Sequence, residues 1–350
     1  SKGGKEEHTV TGVFMDKKDF MFTVKDKTGM YLGFNFDETP ENYDDFDDGD
    51  IVITNKGNVT MTANGIITNS GDIYVVAGDI NLNGKQGVVN GVTGTNAKGN
   101  IITLGGSVTM EGQADIINYG DIIAIGDNVN DVIGSGSIIL KSYCGNVYNH
   151  DDFNVSDDGN EILESRFNLA TSNITMSAVN GTIYNDKDYL VALGDITLEA
   201  KEGIGNSGEL FMAGRNITFN DTYGDLSNSA KLISVDGDIT LNASNGSVLN
   251  MLAGDVLALN GNVTFNAEND VTNHGDVIAL NTNDKANKGS ISFVSSTGNV
   301  YNHDDFKLVD GNNYYDYDGS KFNDGTYYDF EKRYILTDSD LTMKALEGYI

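Results

Sequence analysis

Four histidines stand in this chain: His8, His150, His274 and His303. Two of them share the motif Asn-His-Asp-Asp-Phe. An imidazole beside paired carboxylates can ligate a metal, which singles out Asp151 and Asp152 with His150, and Asp304 and Asp305 with His303. The motif lies inside a nine-residue string, GNVYNHDDF, that occurs at 145–153 and again at 298–306. Duplication of a solvated turn is the plainer account of its recurrence. Cys144, the single cysteine, has no specifically placed base to make it a nucleophile. The three arginines, Arg166, Arg215 and Arg333, read as scattered and unpaired. Acidic loops at Asp44–Asp50, Asp151–Asp158 and Asp304–Asp318 hold hard oxygen donors suited to calcium, though without EF-hand or nonapeptide spacing. No other cofactor is implied. The segment from Asp310 to Tyr334 sets Tyr314, Tyr315, Tyr317, Tyr327 and Tyr328 among Asp and Gly. Tyrosine among small polar neighbours gives contact area at low entropy cost, so these five are the candidate binding residues. Packing of the rings onto the flank of the fold is the competing account.

Composition narrows the partners. The 350 residues carry 22 Lys+Arg against 52 Asp+Glu, a formal charge of -30. Such a chain repels phosphate backbones, and no basic stripe offsets this, so nucleic acid is excluded as a partner. Anionic membrane surfaces are disfavoured, and no apolar run approaches the ~18 residues of a spanning helix. One cysteine rules out an internal disulfide framework. There are 42 Gly and 1 Pro. Glycine without proline argues against collagen and against disorder. No signal peptide is present and the first residue is Ser1, as expected of a mature or excised product.

The candidate residues must be positioned by repeats. Gly57–Ala63, Gly194–Ala200, Gly237–Ala243 and Gly261–Ala267 all fit G-[ND]-[IV]-T-[LMF]-x-A. An asparagine marks the phase at Asn69, Asn90, Asn118, Asn149, Asn185, Asn206, Asn228, Asn250, Asn273 and Asn302. The base period is about 22 residues, with longer insertions at some turns. Above it lies a block duplication at an offset of 153 residues, the spacing of the two nine-residue strings. The last residues, Gly348–Ile350, align with Gly181–Ile183, so the sequence stops within a repeat and reads as a fragment.

Apolar and polar residues alternate inside each unit, the pattern of half-buried strands. Gly, Asn and Asp punctuate them where turns need positive φ. Two or three short strands per ~22 residues make one coil of a parallel β-helix, which buries its apolar face only by stacking on neighbours. The expectation is an all-β solenoid of about ten coils over residues 51–350. At ~4.8 Å per coil it would be a rod of roughly 50 Å. Proline is excluded from such central strands, and Pro40 falls outside them. The repeated asparagines are expected to form a hydrogen-bonded ladder. Residues 1–50 lack the repeat. There Phe20–Asp26 and Met30–Phe36 read as a β-hairpin about Lys27-Thr28-Gly29, followed by an acidic tract, in a segment that would cap an open strand edge.

The recurring unit, with its following N-x-G-x-[ILV] and A-G-x-[IV] pieces, resembles the repeats of filamentous haemagglutinins over roughly residues 50–350. These are large bacterial adhesins exported by two-partner secretion, leukotoxin-type filamentous adhesins among them. The resemblance implies a right-handed parallel β-helix, an outer-membrane secretion partner, and attachment to a receptor or glycan on host or bacterial cells. Neither that family's secretion domain nor a terminal toxin domain is recognisable here. The expected function is therefore the non-enzymatic shaft of a secreted surface adhesin, monomeric or associated end to end. The alternatives are the stem of a contact-dependent toxin and a β-helical polysaccharide lyase or hydrolase.

Overall fold

The computed structural model describes residues 57–91, 99–126, 136–151, 166–281, 289–302 and 334–350 in full. For nine further strands it describes the backbone alone: Thr9–Met15, Asp19–Lys25, Met30–Leu32, Ile51–Ile53, Asp152–Val155, Glu161–Glu164, Leu308–Asp310, Asn313–Tyr315 and Lys321–Phe322. The described residues are all-β, and the chain divides into two compact units, Ser1–Ala213 and Gly214–Ile350. Both are parallel β-solenoids in which each coil gives one strand to each of three sheets.

In the first unit the five-residue strands Val59–Ala63, Ile80–Gly84, Val108–Gly112, Ile138–Ser142, Ile174–Ala178 and Ile196–Ala200 form one sheet. A second sheet, ending each strand on the phase-marking asparagine, runs through Ile67–Asn69, Val88–Asn90, Ile116–Asn118, Val147–Asn149, Ile183–Asn185 and Ile204–Asn206. The third contains Ile73–Val75, Ile101–Thr103, Ile122–Ala124, Phe167–Ala170, Tyr189–Ala192 and Leu210–Ala213. The second unit repeats the plan, with Ile239–Ala243, Val248–Asn250 and Val256–Ala258 making up one of its coils. The described strands make up about eight turns, slightly fewer than the ten expected.

Register is unshifted from coil to coil. Ile239, Leu241 and Ala243 pair with Val263, Phe265 and Ala267. Their side chains point inward and are fully or almost fully buried, so the interior is columns of like residues. Phe265 and Phe293 stack with centroids 4.7 Å apart. A one-residue slip would turn every such column to solvent, which is why the alternation fixes the register.

Two features of the repeat have causes other than those expected. The glycine opening G-[ND]-[IV] is set mostly by close approach between coils. A Cβ on Gly261 would lie 2.0 Å from the carbonyl oxygen of Gly237, with no positive φ involved. Gly78 combines both demands, with a φ of +143° and a Cβ position 2.1 Å from Gly57 O. The next residue, Asn or Asp, is an inter-coil acceptor. Asn58 Oδ1 takes the N–H of Asp79 at 2.8 Å, and Asp79 Oδ1 takes that of Ser107 at 2.9 Å. Asp238 and Asn262 do the same in the second unit. Part of the chain's acidity is thus spent on satisfying backbone donors at the corners of the coils.

The amino-terminal hairpin differs from the expectation. Asp19–Lys25 pairs antiparallel with the upstream strand Thr9–Met15. Met30–Leu32 instead joins the second sheet, parallel to Ile67–Asn69. A strand whose alternation matches the coil below gains pairing on that edge, and Tyr31 falls in register with Thr68.

Candidate functional site

The phase-marking asparagines of the first unit are buried at 0–2% exposure. Asn69 Nδ2 donates to Asn90 Oδ1 at 2.8 Å, and the chain of bonds continues through Asn118, Asn149, Asn185 and Asn206 at 2.6–3.0 Å. In the second unit Asn228, Asn250, Asn273 and Asn302 are linked at 2.8 Å. The second amide hydrogen caps the following turn, as Asn118 does on Gly120 O at 3.0 Å and Asn273 on Gly275 O at 2.9 Å. Both donors of the amide are used, so a polar group is carried in the core at little cost. Asn69 Oδ1 has no partner, and the strand beside it places Leu32 in its register.

These asparagines fix the turns that follow, and one stack of turns gathers charge. Asp121, His150, Asp151, Asp186, Lys187 and Asp188 occupy successive coils, and Arg166 returns the chain after the insertion 152–165. Asp151, at the start of that insertion, accepts through Oδ1 the N–H of Arg166 at 3.0 Å and that of Asp188 at 3.1 Å. One carboxylate therefore ties both ends of the insertion to the next coil. Asp121 Oδ1 accepts the N–H of Phe167 at 2.9 Å, and its Oδ2 lies 3.7 Å from Arg166 Nη1. Arg166 is 5% exposed and lies beside a carboxylate, so it is buried and paired and not the unpaired arginine expected from its sequence context.

Lys187 is among the largest fully buried side chains of the described residues, at 0% exposure. Its Nζ donates to Gly120 O at 3.1 Å. Burial lowers its pKa from 10.5 to about 7 against the opposing pull of the Asp151, Asp121 and Asp186 carboxylates. Burial, followed by a hydrogen bond with the Asp188 side chain, raises Asp151 from 3.8 to about 7. Perturbed groups of this kind mark catalytic centres as well as structural ones. Here the amine is sealed from solvent, and Asp121, Asp151 and Asp186 each accept at least one backbone N–H. The arrangement acts as a clamp on the root of an insertion.

Outside the clamp lies a block of rings. Tyr148 and Tyr184, in register on adjacent strands, stack at 5.4 Å with planes 8° apart. His150 stacks at 5.6 Å on both Tyr148 and Tyr119. His150 Nδ1 is 2.9 Å from Asp186, which also accepts the N–H of Asp151 at 3.1 Å.

Of the candidate metal ligands, the side chains of His150 and Asp151 are described, and that of His303 is not. Asp152 lies in Asp152–Val155, known by its backbone alone, while Asp304 and Asp305 fall outside the described residues. No group of three or more His, Cys, Asp or Glu able to hold a metal occurs among the described residues. Tyr314 and Tyr315 lie in Asn313–Tyr315, which pairs antiparallel with both Leu308–Asp310 and Lys321–Phe322. Their side chains, together with Tyr317, Tyr327 and Tyr328, lie outside the description. Cys144 is exposed.

Sequence reasoning missed Lys187 and Arg166. One signal was available in the duplication. Tyr334 N–H donates to Asp276 Oδ1 at 2.7 Å, as Phe167 does to Asp121, so Arg333 takes the sequence place of Arg166. No family model, curated protein or solved structure matches this chain.

Proposed function

We propose that this chain is a shaft segment of a large secreted bacterial surface adhesin, exported through an outer-membrane partner and attaching to host or bacterial cells. The observation that carries this reading is the unshifted stacking of one motif, coil upon coil, with insertions leaving at turns while the interior columns continue. Such coils supply stiffness and protease resistance, and the insertions supply variable surface for contact. The motif's resemblance to filamentous haemagglutinin repeats supports the same reading. Occupation of the clamp's carboxylates by backbone donors weighs against using that cluster for glycoside chemistry, which needs a free acid and a free base or nucleophile.

The test is to present the purified chain to epithelial and bacterial cells and, in parallel, to a panel of polysaccharides. Saturable cell binding with no new reducing ends or unsaturated products is expected. Turnover of any polysaccharide overturns the reading in favour of the enzyme alternative. Deleting 310–334 abolishes attachment if its tyrosines make the contact and leaves it intact if they pack on the flank.

A further inference from the structure

The column of rings on the second sheet stops at a glycine. Tyr148 covers one face of Tyr184, and the residue in register on Tyr184's other side is Gly205. The opposite face of the Tyr184 ring therefore looks over a position with no side chain, and the ring is 45% exposed. Asp186 stands two residues further along the chain, just past the end of the strand and on the same outward side, with its side chain 49% exposed. The coil below Asp186 offers Ser207, which is also exposed. Tyr184 and Asp186 thus sit side by side at the head of a step one coil deep, about 4.8 Å.

The wall is braced from behind. Tyr148 and His150 form the matching pair one coil back, Tyr148 stacking on Tyr184 and His150 holding Asp186. Asn146 Nδ2 fixes the Tyr148 hydroxyl at 2.9 Å. Ring and carboxylate are thereby preorganised, which lowers the ordering cost of binding. Asp186 already accepts from His150 and from the Asp151 N–H, and a carboxylate has about four lone-pair sites, so capacity remains.

A negative ring face next to a carboxylate, on a chain of charge -30, selects a cation. A planar one fits a shallow step best. Guanidinium stacks on an aromatic face while directing N–H groups sideways at an acid, whereas an ammonium offers neither the plane nor the fork. We propose that the Tyr184–Asp186 step receives an arginine side chain of a basic protein partner, with Tyr184 stacking, Asp186 accepting and Gly205 leaving the room. The net charge steers such a partner inward. This goes beyond the shaft reading and can fail without it: cell attachment that survives loss of the step would leave the shaft standing and sink this site.

The experiment is calorimetric titration at about 0.15 M salt, where charges a Debye length apart are largely screened. The probe is the peptide Gly-Ser-Arg-Gly-Ser-Arg-Gly-Ser, with its lysine counterpart and chitotetraose as comparators. Binding of the arginine peptide is expected, at least tenfold weaker for Tyr184→Ala and for Gly205→Tyr, and severalfold weaker for Asp186→Asn. The lysine peptide should bind at least fivefold more weakly. Gly205→Tyr fills the step without demanding a new backbone, since Gly205 has no positive φ, and it decides the matter if Tyr184→Ala loses its fold by circular dichroism. Equal binding across the variants, equal binding of the lysine peptide, no binding, or preference for chitotetraose would each overturn the proposal.

Discussion

Replacing Lys187 by Met should stabilise the protein at neutral and acid pH, although it removes a hydrogen-bonded residue from the centre of a charged cluster. In the unfolded chain this amine titrates at its ordinary value of 10.5; burial brings it to about 7 in the fold. Between those values the unfolded chain holds a proton that the folded one gives up, so this group makes stability rise with pH across pH 7–10.5. Below pH 7 the folded state bears the full penalty. At 1.36 kcal/mol per pKa unit that penalty is at most about 5 kcal/mol. Met fills a similar volume without the charge. The lost bond to Gly120 O costs about 1 kcal/mol, and that carbonyl keeps its donor from Asn118 Nδ2. Asp121, Asp151 and Asp186 lose a neighbouring cation, which takes back a further share, leaving a net gain on the order of 2 kcal/mol at pH 6. Asp151 works in the opposite window. Its folded pKa is raised from 3.8 to about 7, so it makes stability fall as pH rises through that range, but it is present in both chains. The assay is guanidinium unfolding of wild type and Lys187→Met at pH 6, 8 and 10. The variant's advantage should shrink by roughly 1.4 kcal/mol per pH unit above pH 7. A variant less stable at pH 6, or a difference that does not move with pH, would refute the assignment of Lys187 as a desolvated amine.

Three other outcomes are expected. Asn149→Ala breaks bonds with Asn118, Asn168 and Asn185 and should cost about 3 kcal/mol by chemical denaturation, whereas Asn69→Ala, at the open end of the ladder, should cost less than half of that. Gly261→Ala forces a Cβ against Gly237 O and should cost roughly 3 kcal/mol, lowering the melting temperature by about 4 °C; a shift under about 1 °C would contradict the close approach. Asp151→Ala strips an acceptor from two backbone N–H groups at the root of the insertion, so limited proteolysis within 152–165 should speed up severalfold while cleavage elsewhere stays unchanged.

Much of the architecture could be read from residue order because it is written in short-range periodicity. Val-Thr-Phe-Asn-Ala at 263–267 alternates, the phase asparagine returns about every 22 residues, and proline is missing where ladders need donors. What escaped was whatever depends on the neighbouring coil. Asn58 and Asp79 look like turn residues along the chain, and only stacking makes them acceptors for the coil above. Gly261 looks like a positive-φ turn, yet it is small because Gly237 O lies where a Cβ would go. Lys187 sits in an acidic turn that any local reading assigns to solvent; its side chain is instead buried with Nζ on the Gly120 carbonyl of another coil. The amino-terminal hairpin was misplaced because two candidate partners flank the same apolar strand, Phe20–Asp26, and local pattern does not choose between them.

The asparagine ladder, the clamp and the Tyr184–Asp186 step all require parallel coils in unshifted register. That is tested most directly by pairwise cysteine cross-linking in a Cys144→Ser background. Thr68 and Val89 face outward in register on adjacent strands, at the ~4.8 Å spacing that a disulfide spans. The pair Thr68→Cys with Val89→Cys should oxidise to an intramolecular bond closing a 21-residue separation, seen by peptide mass after digestion. Thr68→Cys with Val88→Cys, one residue out of phase and inward-facing, should stay reduced. Bond formation by the second pair and not the first would contradict the register, and with it the stacked turns on which the site depends.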